Sequence, residues 1–221
     1  MEFSDVARTT FSCRSFTDDP MPDGDLYRIL DTARFAPSGG NRQAWRVIVV
    51  RDQDVRRKLA ELCRPTWNVY VAQRLAGESP FNSIVPSSVD EEAAAATQAP
   101  NPFLDGLPSV PAVLVVGLDL TAVASFDRSL DRVGVISGAS VYPFVWNLLL
   151  AARDLGYGGT LTTFLAGREA EAQALLGLPP HLAVAALVPL GRPVHQLHRL
   201  TRRPVEAFTT VDRFDGPAFR A

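Results

Sequence analysis

Lysine, cysteine and histidine are scarce in this 221-residue sequence, and their scarcity excludes several kinds of site. Of the 22 basic residues only Lys58 is a lysine, so there is no phosphate-binding P-loop, which needs a lysine after its glycines. Cys13 and Cys63 form no CxxC pair and are too few for a disulfide framework. The three histidines stand at no spacing typical of a metal site. A net charge of −2 gives no reason to expect a nucleic acid as partner.

Signatures of other function classes are also missing. No GxGxxG follows a predicted strand, and Pro37-Ser38-Gly39 lacks the flanking residues of a GxSxG nucleophile elbow. The longest apolar runs, residues 110–120 and 182–190, are too short to cross a bilayer. The first residues are acidic and contain no apolar signal core. We therefore expect a cytoplasmic protein with no membrane partner.

Hydrophobic periodicity predicts an ordered succession of helices and strands. Leu26, Ile29, Leu30 and Ala33 recur at helical spacing after Asp23, a candidate N-cap. A second helix follows the candidate cap Asp52, with Val55, Leu59 and Leu62 predicted inward and Arg56, Arg57 and Glu61 outward. Further helices are predicted over residues 3–11, 134–155 and 169–176, and strands over residues 46–50, 111–117 and 182–188. Pro143 should kink the helix over residues 134–155 or mark its true start.

Residues 77–111 interrupt this periodicity. The segment holds six prolines and one short alanine-rich piece, so we predict a lid or binding loop without regular structure of its own. Phe81 and Phe103 are its only aromatic residues, and we expect them either to orient a bound molecule or to pin the loop to the body. The apolar segments on both sides are needed for one core, so residues 1–221 are predicted to form a single domain.

Two glycine-containing segments are candidates for ligand contact. In residues 36–45, Pro37 ends a helix, Gly39 and Gly40 permit positive φ, and Ser38 and Asn41 offer short polar side chains. Residues 156–163 combine three glycines with three threonines. Alone, the first segment is also compatible with a turn that binds nothing, and the second with a glycine C-cap followed by a strand.

Arginines near both ends of the chain are candidates for phosphate binding. Arg14 and the pair Arg202-Arg203 lie beside structured elements and small hydroxyl residues. A guanidinium group forms paired hydrogen bonds with a phosphate monoester, although surface arginines are also common without any ligand.

Four motifs, in order, resemble those of the flavin-dependent nitroreductase family along nearly the whole chain. Family members carry a basic Ser-x-Arg-x-Phe stretch, then Ala-Pro-Ser-x-x-Asn-x-Gln-Pro-Trp, then a helix ending in Leu-Gly-Leu-Gly, and finally Gly-x-Pro and Arg-x-Pro-Leu-Glu. The corresponding segments here are residues 10–20, 36–45 (with Ala44 for proline), 147–158, 191–193 and 202–206.

The resemblance implies an α+β fold, a three-layer α/β/α sandwich with a central mixed, mostly antiparallel sheet. It also implies a homodimer, dimerised through the helix predicted at residues 134–155, in which each FMN site is built from two chains. Ser12 and Arg14 would hold the ribityl chain and phosphate, with Arg202 on the phosphate. The ring would lie along Gly159, Thr160, Leu161, Thr162 and Thr163, and against Pro37, Ser38 and Asn41 of the partner subunit.

The implied activity is an FMN-dependent oxidoreductase. NAD(P)H would reduce the flavin and be replaced by a nitroaromatic, quinone or related small acceptor, a ping-pong mechanism. No catalytic acid or base is predicted. Alternatives on the same fold are reductive dehalogenation, a dehydrogenase reaction, or flavin binding without turnover.

One departure from the family pattern concerns the phosphate. The family's first two basic residues are Thr10 and Phe11 here, so a phosphate ligand is missing, and Arg203 and Arg8 are the candidates to replace it.

Overall fold

Seven helices and four strands make up the part of the chain that the computed structural model describes. It covers the backbone of residues 1–221 and every side chain except that of Glu91. The helices are α1 (Phe3–Thr9), α2 (Asp23–Ala33), α3 (Gln53–Leu75), α4 (Glu91–Ala96), α5 (Pro102–Gly106), α6 (Tyr142–Asp154) and α7 (Glu169–Leu176). The strands are β1 (Trp45–Val50), β2 (Ala112–Asp119), β3 (Gly158–Gly159) and β4 (Leu182–Gly191).

The strands form one sheet in the order β1-β2-β4-β3, and each neighbouring pair is antiparallel. A single parallel bridge between Ser12 and Gly159 adds the N-terminal segment beside β3. Strand β2 is buried almost throughout, as its continuous apolar sequence predicted. The predicted α+β fold with a mixed, mostly antiparallel sheet is therefore confirmed.

Helices cover both faces of this sheet and enclose two hydrophobic cores. The first core lies under α2 and α6 and includes Leu114 and Val116 of β2. The second lies under α3, α5 and α7 and includes the alternate β2 residues Val113 and Val115. This two-residue alternation is what a strand buried on both faces requires, and it produces the three predicted layers.

Helix α2 confirms the predicted apolar face, because Leu26, Ile29 and Ala33 are buried. Asp23 is not its N-cap: Pro22 occupies that position, and Asp23 forms an ion pair with Arg51. At the start of α3, Asp52 is the predicted cap. Its Oδ1 accepts hydrogen bonds from the N–H groups of Asp54 and Val55, at 2.8 and 2.9 Å.

The helix predicted over residues 134–155 is shorter than expected. Helix α6 begins at Tyr142, with Pro143 in its first turn, and residues 137–140 form a separate 3-10 turn. Proline suits the first turn because the N–H it lacks would have no partner there. Of the two expectations for Pro143, the structure therefore selects the true helix start. No helix of the described chain has the length and apolarity to cross a membrane.

The segment over residues 77–111 has more structure than the sequence predicted. It contains α4, α5 and a 3-10 turn at Leu107–Ser109, so the expectation of no regular structure was wrong for its second half. Phe103 is only 9% exposed and lies in the second core, whereas Phe81 is 52% exposed. Residues 77–90 form the longest stretch of this segment without a helix or strand, and residues 97–101 form a shorter one.

Arg56 was predicted to point outward, and this was wrong. Its Nε donates to the Val50 carbonyl at 2.8 Å. Its Nη1 donates to the carbonyls of Val110 and Pro108, at 2.7 and 3.1 Å. One buried guanidinium thus ties the end of β1 and the turn before β2 to helix α3, and satisfies three carbonyl groups that would otherwise lack donors.

We expect Arg56→Met to lower the free energy of unfolding by about 2–4 kcal/mol, because hydrogen bonds to a charged donor are lost and buried carbonyls are left unpaired. Arg57→Met is the matched control: Arg57 is exposed and pairs only with Asp54 on the same helix, so its loss should cost about 0.5 kcal/mol or less. Urea denaturation of both variants measures the difference. Equal losses in the two variants would contradict the buried role of Arg56.

Candidate functional site

The structure brings together one group of predicted site residues: Ser12, Arg14 and residues 159–163. Ser12 pairs with Gly159 in the parallel bridge, and the Cys13 N–H donates to the Gly159 carbonyl at 2.9 Å. Ser12 and Arg14 are exposed. Within the described chain, the Arg14 guanidinium makes only one long hydrogen bond, 3.4 Å to the Ser12 carbonyl. A hydroxyl and an uncommitted cation therefore lie beside the glycine-threonine segment.

Close packing requires two glycines of this segment, Gly158 and Gly159. A Cβ on Gly159 would lie 2.5 Å from Leu190 Cδ2 and 2.8 Å from the Pro189 carbonyl oxygen. A Cβ on Gly158 would lie 3.0 Å from Cys13 Cβ. The backbone is thus pressed against β4 and against the N-terminal segment, a reason for the glycines that the sequence did not reveal.

Residues 160–163 leave polar groups without partners. Thr162 exchanges two hydrogen bonds with Leu187, at 3.0 and 2.9 Å. The N–H groups of Thr160, Leu161 and Thr163 have no hydrogen-bond partner in the part of the chain that the structure describes. Thr160 is fully buried, and its hydroxyl is the one buried side-chain oxygen or nitrogen without a partner among the described side chains. Such donors suit the polar edge of a planar ligand.

A cavity of about 260 Å³ adjoins Arg14. Phe16, Phe103, Gly106 and Ser109 also line it, so the end of the segment over residues 77–111 reaches the first group of site residues. The sequence offered no signal for this contact, because it depends on how α5 packs against the N-terminal segment.

A second group, Pro37, Ser38 and Asn41, lies on a different turn. The Gln43 N–H donates to Ser38 Oγ at 3.0 Å, and Gln43 Nε2 donates to Asn41 Oδ1 at 3.1 Å. Asn41 and Gln43 have φ values of 52° and 49°, a left-handed conformation that is uncommon outside glycine. In the described chain, no hydrogen bond or bridge joins this turn to Ser12, Arg14 or residues 159–163. Within one chain, the two groups of predicted site residues therefore have no direct backbone link.

The loop beside this turn is organised by Asp127, which sequence reasoning missed. Its buried carboxylate accepts hydrogen bonds from the N–H groups of Val135 and Ile136, at 2.6 and 3.3 Å, and from Arg132 Nη1 at 2.9 Å. These bonds, that of Val135 first, lower the pKa of Asp127 from 3.8 to about 2. The loop reaches the turn where Arg42 Nη1 donates to the Ala122 carbonyl at 3.4 Å.

Arg202 and Arg203 lie on an exposed tail, and no hydrogen bond or bridge joins them to the first group within the described chain. In the described chain, the Arg202 side chain donates only to the neighbouring Thr201 carbonyl, at 2.8 Å. Farther along, Thr210 and Ala218 form an antiparallel bridge, and Phe214 between them is 100% exposed. The tail thus carries free cations and apolar side chains with little packing against its own chain.

Comparisons with known proteins agree on one family. Residues 7–192 match the sequence model of the Nitroreductase family. The chain is 30% identical over 195 residues to the NADH dehydrogenase of Thermus thermophilus, with 88% of each chain covered. It is 26% identical over 196 residues to FMN reductase [NAD(P)H] of Bacillus subtilis, covering 89% of this chain and 68% of that protein. Its fold matches that of oxidised iodotyrosine deiodinase bound to FMN and 3-iodo-L-tyrosine, with a TM-score of 0.65, 23% identity and coverage of 96% and 98%.

Proposed function

Since the chain belongs to the nitroreductase family, we propose that it is an FMN-dependent oxidoreductase that takes electrons from NAD(P)H and delivers them to a small organic acceptor. The observation that carries this proposal is the meeting of Ser12 and Arg14 with the unpaired N–H groups of residues 160–163. Relatives named as an NADH dehydrogenase and an FMN reductase support the reaction class.

The residues present fit FMN. Ser12 and Arg14 offer a hydroxyl and a guanidinium to the ribityl chain and phosphate, and the N–H groups of Thr160, Leu161 and Thr163 can donate to the polar edge of the ring. When bound, FMN supplies the hydride and electron transfer, while the protein binds and orients it. Pro37, Ser38 and Asn41 would contact the ring from a second chain. We propose that NAD(P)H and the acceptor use the same pocket in turn.

Thr10, which stands where the family has a basic residue, has a different role in this structure. Thr10 is buried, and its hydroxyl donates to the Val6 carbonyl at 2.8 Å, at the end of α1. It is therefore committed to capping the helix and does not replace the family's basic residue. We propose that the exposed tail arginines Arg202 and Arg203 supply the positive charge for the phosphate instead.

We expect the purified protein to contain FMN, and Arg202→Ala to weaken FMN binding by about 1.5–3 kcal/mol, because a charged hydrogen bond to the phosphate is lost. Fluorescence titration of the flavin-free protein measures this change. Arg57→Ala is the control, since Arg57 is exposed and pairs with Asp54 on α3, in the opposite layer from the proposed interface. Unchanged affinity for Arg202→Ala would place the phosphate elsewhere; FAD as the released flavin would contradict the choice of cofactor.

We also propose that the protein acts as a homodimer whose sites combine residues of both chains. The two groups of predicted site residues share no hydrogen bond or bridge within the described chain, which supports completion of the site by a second copy. The layer formed by α1, α2 and α6 exposes large apolar side chains that include Phe3, Phe35 and Trp146. An apolar surface of this kind is typical of an interface between subunits.

Light scattering is therefore expected to give twice the chain mass of 24.0 kDa. Trp146→Glu should shift the protein toward the monomer, because Trp146, 45% exposed on α6, would place a charge in the interface. Leu75→Glu is the matched control, since Leu75 is exposed on α3 in the opposite layer and should leave the dimer intact. A stable monomer for the unchanged chain would contradict the two-chain site.

Reductive dehalogenation is the second candidate activity. The similarity to iodotyrosine deiodinase along nearly the whole fold favours it specifically. NAD(P)H oxidation measured against nitroaromatics, quinones and halophenols separates the two reactions, and flavin binding without turnover on any acceptor would indicate a binding protein. Activity with halophenols alone would reject the nitroreductase reaction.

The loop over residues 77–90 is proposed as the part of the segment that sets acceptor choice. Phe81→Ala should change the acceptor's KM and leave stability nearly intact, because its ring is exposed. Phe103→Ala is the comparison: its ring is buried in the second core, so it should lower the free energy of unfolding by about 3–5 kcal/mol. Thermal melts and steady-state kinetics of both variants test this. Unchanged kinetic parameters of Phe81→Ala with every acceptor would contradict the proposal that the loop over residues 77–90 sets acceptor choice.

A further inference from the structure

Three aromatic rings form a cluster between α3 and the chain that follows the glycine-threonine segment. Trp67 and Tyr70 stack with ring centroids 5.5 Å apart. Phe164 meets both rings edge-on, with its centroid 5.7 Å from that of Trp67 and 5.9 Å from that of Tyr70. All three side chains are partly buried. Contacts of this geometry hold each ring in a defined orientation.

Trp67 and Phe164 are held by contacts with the rest of the protein, and Tyr70 is the outermost ring of the cluster. Trp67 and Phe164 pack against the second core, and Trp67 Nε1 donates to the Ala99 carbonyl at 3.2 Å. Gly167 lies so close to Thr66 that a Cβ there would overlap its side chain, which locks α3 onto residues 164–168. Tyr70 does not pack against that core. Its ring is therefore oriented by neighbours but remains accessible.

Tyr70 lies between residues that lead to the proposed cofactor edge on one side and to the proposed lid on the other. Phe164, which touches Tyr70, directly follows Thr163. One turn farther along α3, the buried Gln73 accepts a hydrogen bond from the Phe81 N–H at 2.9 Å. Phe81 has a φ of 54°, a conformation that a bulky side chain rarely adopts, so this bond holds the loop in a specific shape.

The Tyr70 hydroxyl has no assigned role within the chain. It makes no hydrogen bond to the described residues, and it is not among the buried polar atoms without a partner, so it reaches solvent. A phenol is both donor and acceptor, and it would donate well to the oxygen of a nitro group or a quinone. Packing against Trp67 and Phe164 needs the ring of Tyr70 but not its hydroxyl, which a phenylalanine would lack.

We propose that Tyr70 contacts the electron acceptor and donates its O–H to an acceptor oxygen, so that it selects oxygen-bearing aromatic acceptors. This inference rests on the proposed oxidoreductase function and deepens it. Tyr70 would be a specificity-determining residue, oriented by Trp67 and Phe164 and one helical turn before Gln73, which holds the loop that carries Phe81.

Tyr70→Phe tests the proposal because it removes the hydroxyl and keeps the ring. With a quinone or 4-nitrobenzoate as acceptor, kcat/KM should fall about two- to tenfold, the loss of one neutral hydrogen bond. With ferricyanide, which needs no such bond, the rate should not change, and FMN content and melting temperature should stay the same. Tyr27→Phe is the matched control, since Tyr27 is exposed on α2 in the opposite layer.

Binding of 4-nitrobenzoate to the FMN-loaded protein, followed by calorimetry without NAD(P)H, provides a readout that does not depend on turnover. Its Kd should rise by the same factor in Tyr70→Phe and stay unchanged in Tyr27→Phe. An unchanged Kd and unchanged kcat/KM would overturn the role of Tyr70, as would an equal loss with ferricyanide. If the unaltered protein failed to oxidise NAD(P)H with ferricyanide, the proposed function would fail, while the Kd would still decide the role of Tyr70.

Discussion

The close approach of Gly159 to strand β4 is the contact on which the rest of the structure depends. Leu190 Cδ2 and the Pro189 carbonyl occupy the space where a side chain at residue 159 would stand. On its other edge the same glycine bridges Ser12. Any larger residue would push β3 off the sheet and carry the N-terminal segment with it. Core packing thus holds in register the two segments that carry Ser12, Arg14 and residues 159–163.

Pro189 lies where the hydrogen-bond ladder between β4 and residues 160–163 is incomplete. The registers of Gly159 with Leu190 and of Thr162 with Leu187 place Thr160 opposite Pro189. Proline has no N–H to donate, so the Thr160 carbonyl receives no ladder hydrogen bond from this pair, and paired hydrogen bonds resume between Thr162 and Leu187. The N–H groups of Leu161 and Thr163 alternate with that of Thr162 and therefore point away from β4. This edge of the sheet thus leaves polar backbone groups available to a ligand.

Much of the fold could be predicted because its signals are local. The spacing of Leu26, Ile29 and Ala33, the continuous apolar run of β2 and the cap Asp52 each depend on neighbouring residues alone. Arg56 could not be predicted, because the carbonyls it serves at residues 108 and 110 come from a distant part of the chain. The helix over residues 134–155 was overextended because apolar residues before Pro143 continue its pattern although many are exposed.

The candidate site shows the same division between local and long-range information. The motifs identified Ser12, Arg14 and residues 159–163, and the fold brings them together. The role of Asp127 and the proposed role of Tyr70 could not be predicted, since a carboxylate that closes a loop and a tyrosine one turn before Gln73 leave no distinctive pattern in the sequence. Both roles depend on backbone and ring partners that only the folded chain places nearby.

The proposed construction of each site from two chains has a thermodynamic consequence. If Pro37, Ser38 and Asn41 of one chain complete the site around residues 159–163 of another, a cofactor that binds the complete site binds the dimer and not the isolated chain. Binding and association are then linked, and each strengthens the other by mass action. Under the same proposal, Arg202 and Arg203 would strengthen this coupling through their charge, because neither forms a salt bridge within the described chain. Cofactor binding and dimerisation would thus be coupled equilibria. In both, the packing at Gly159 would keep the residues of one half of the site in place.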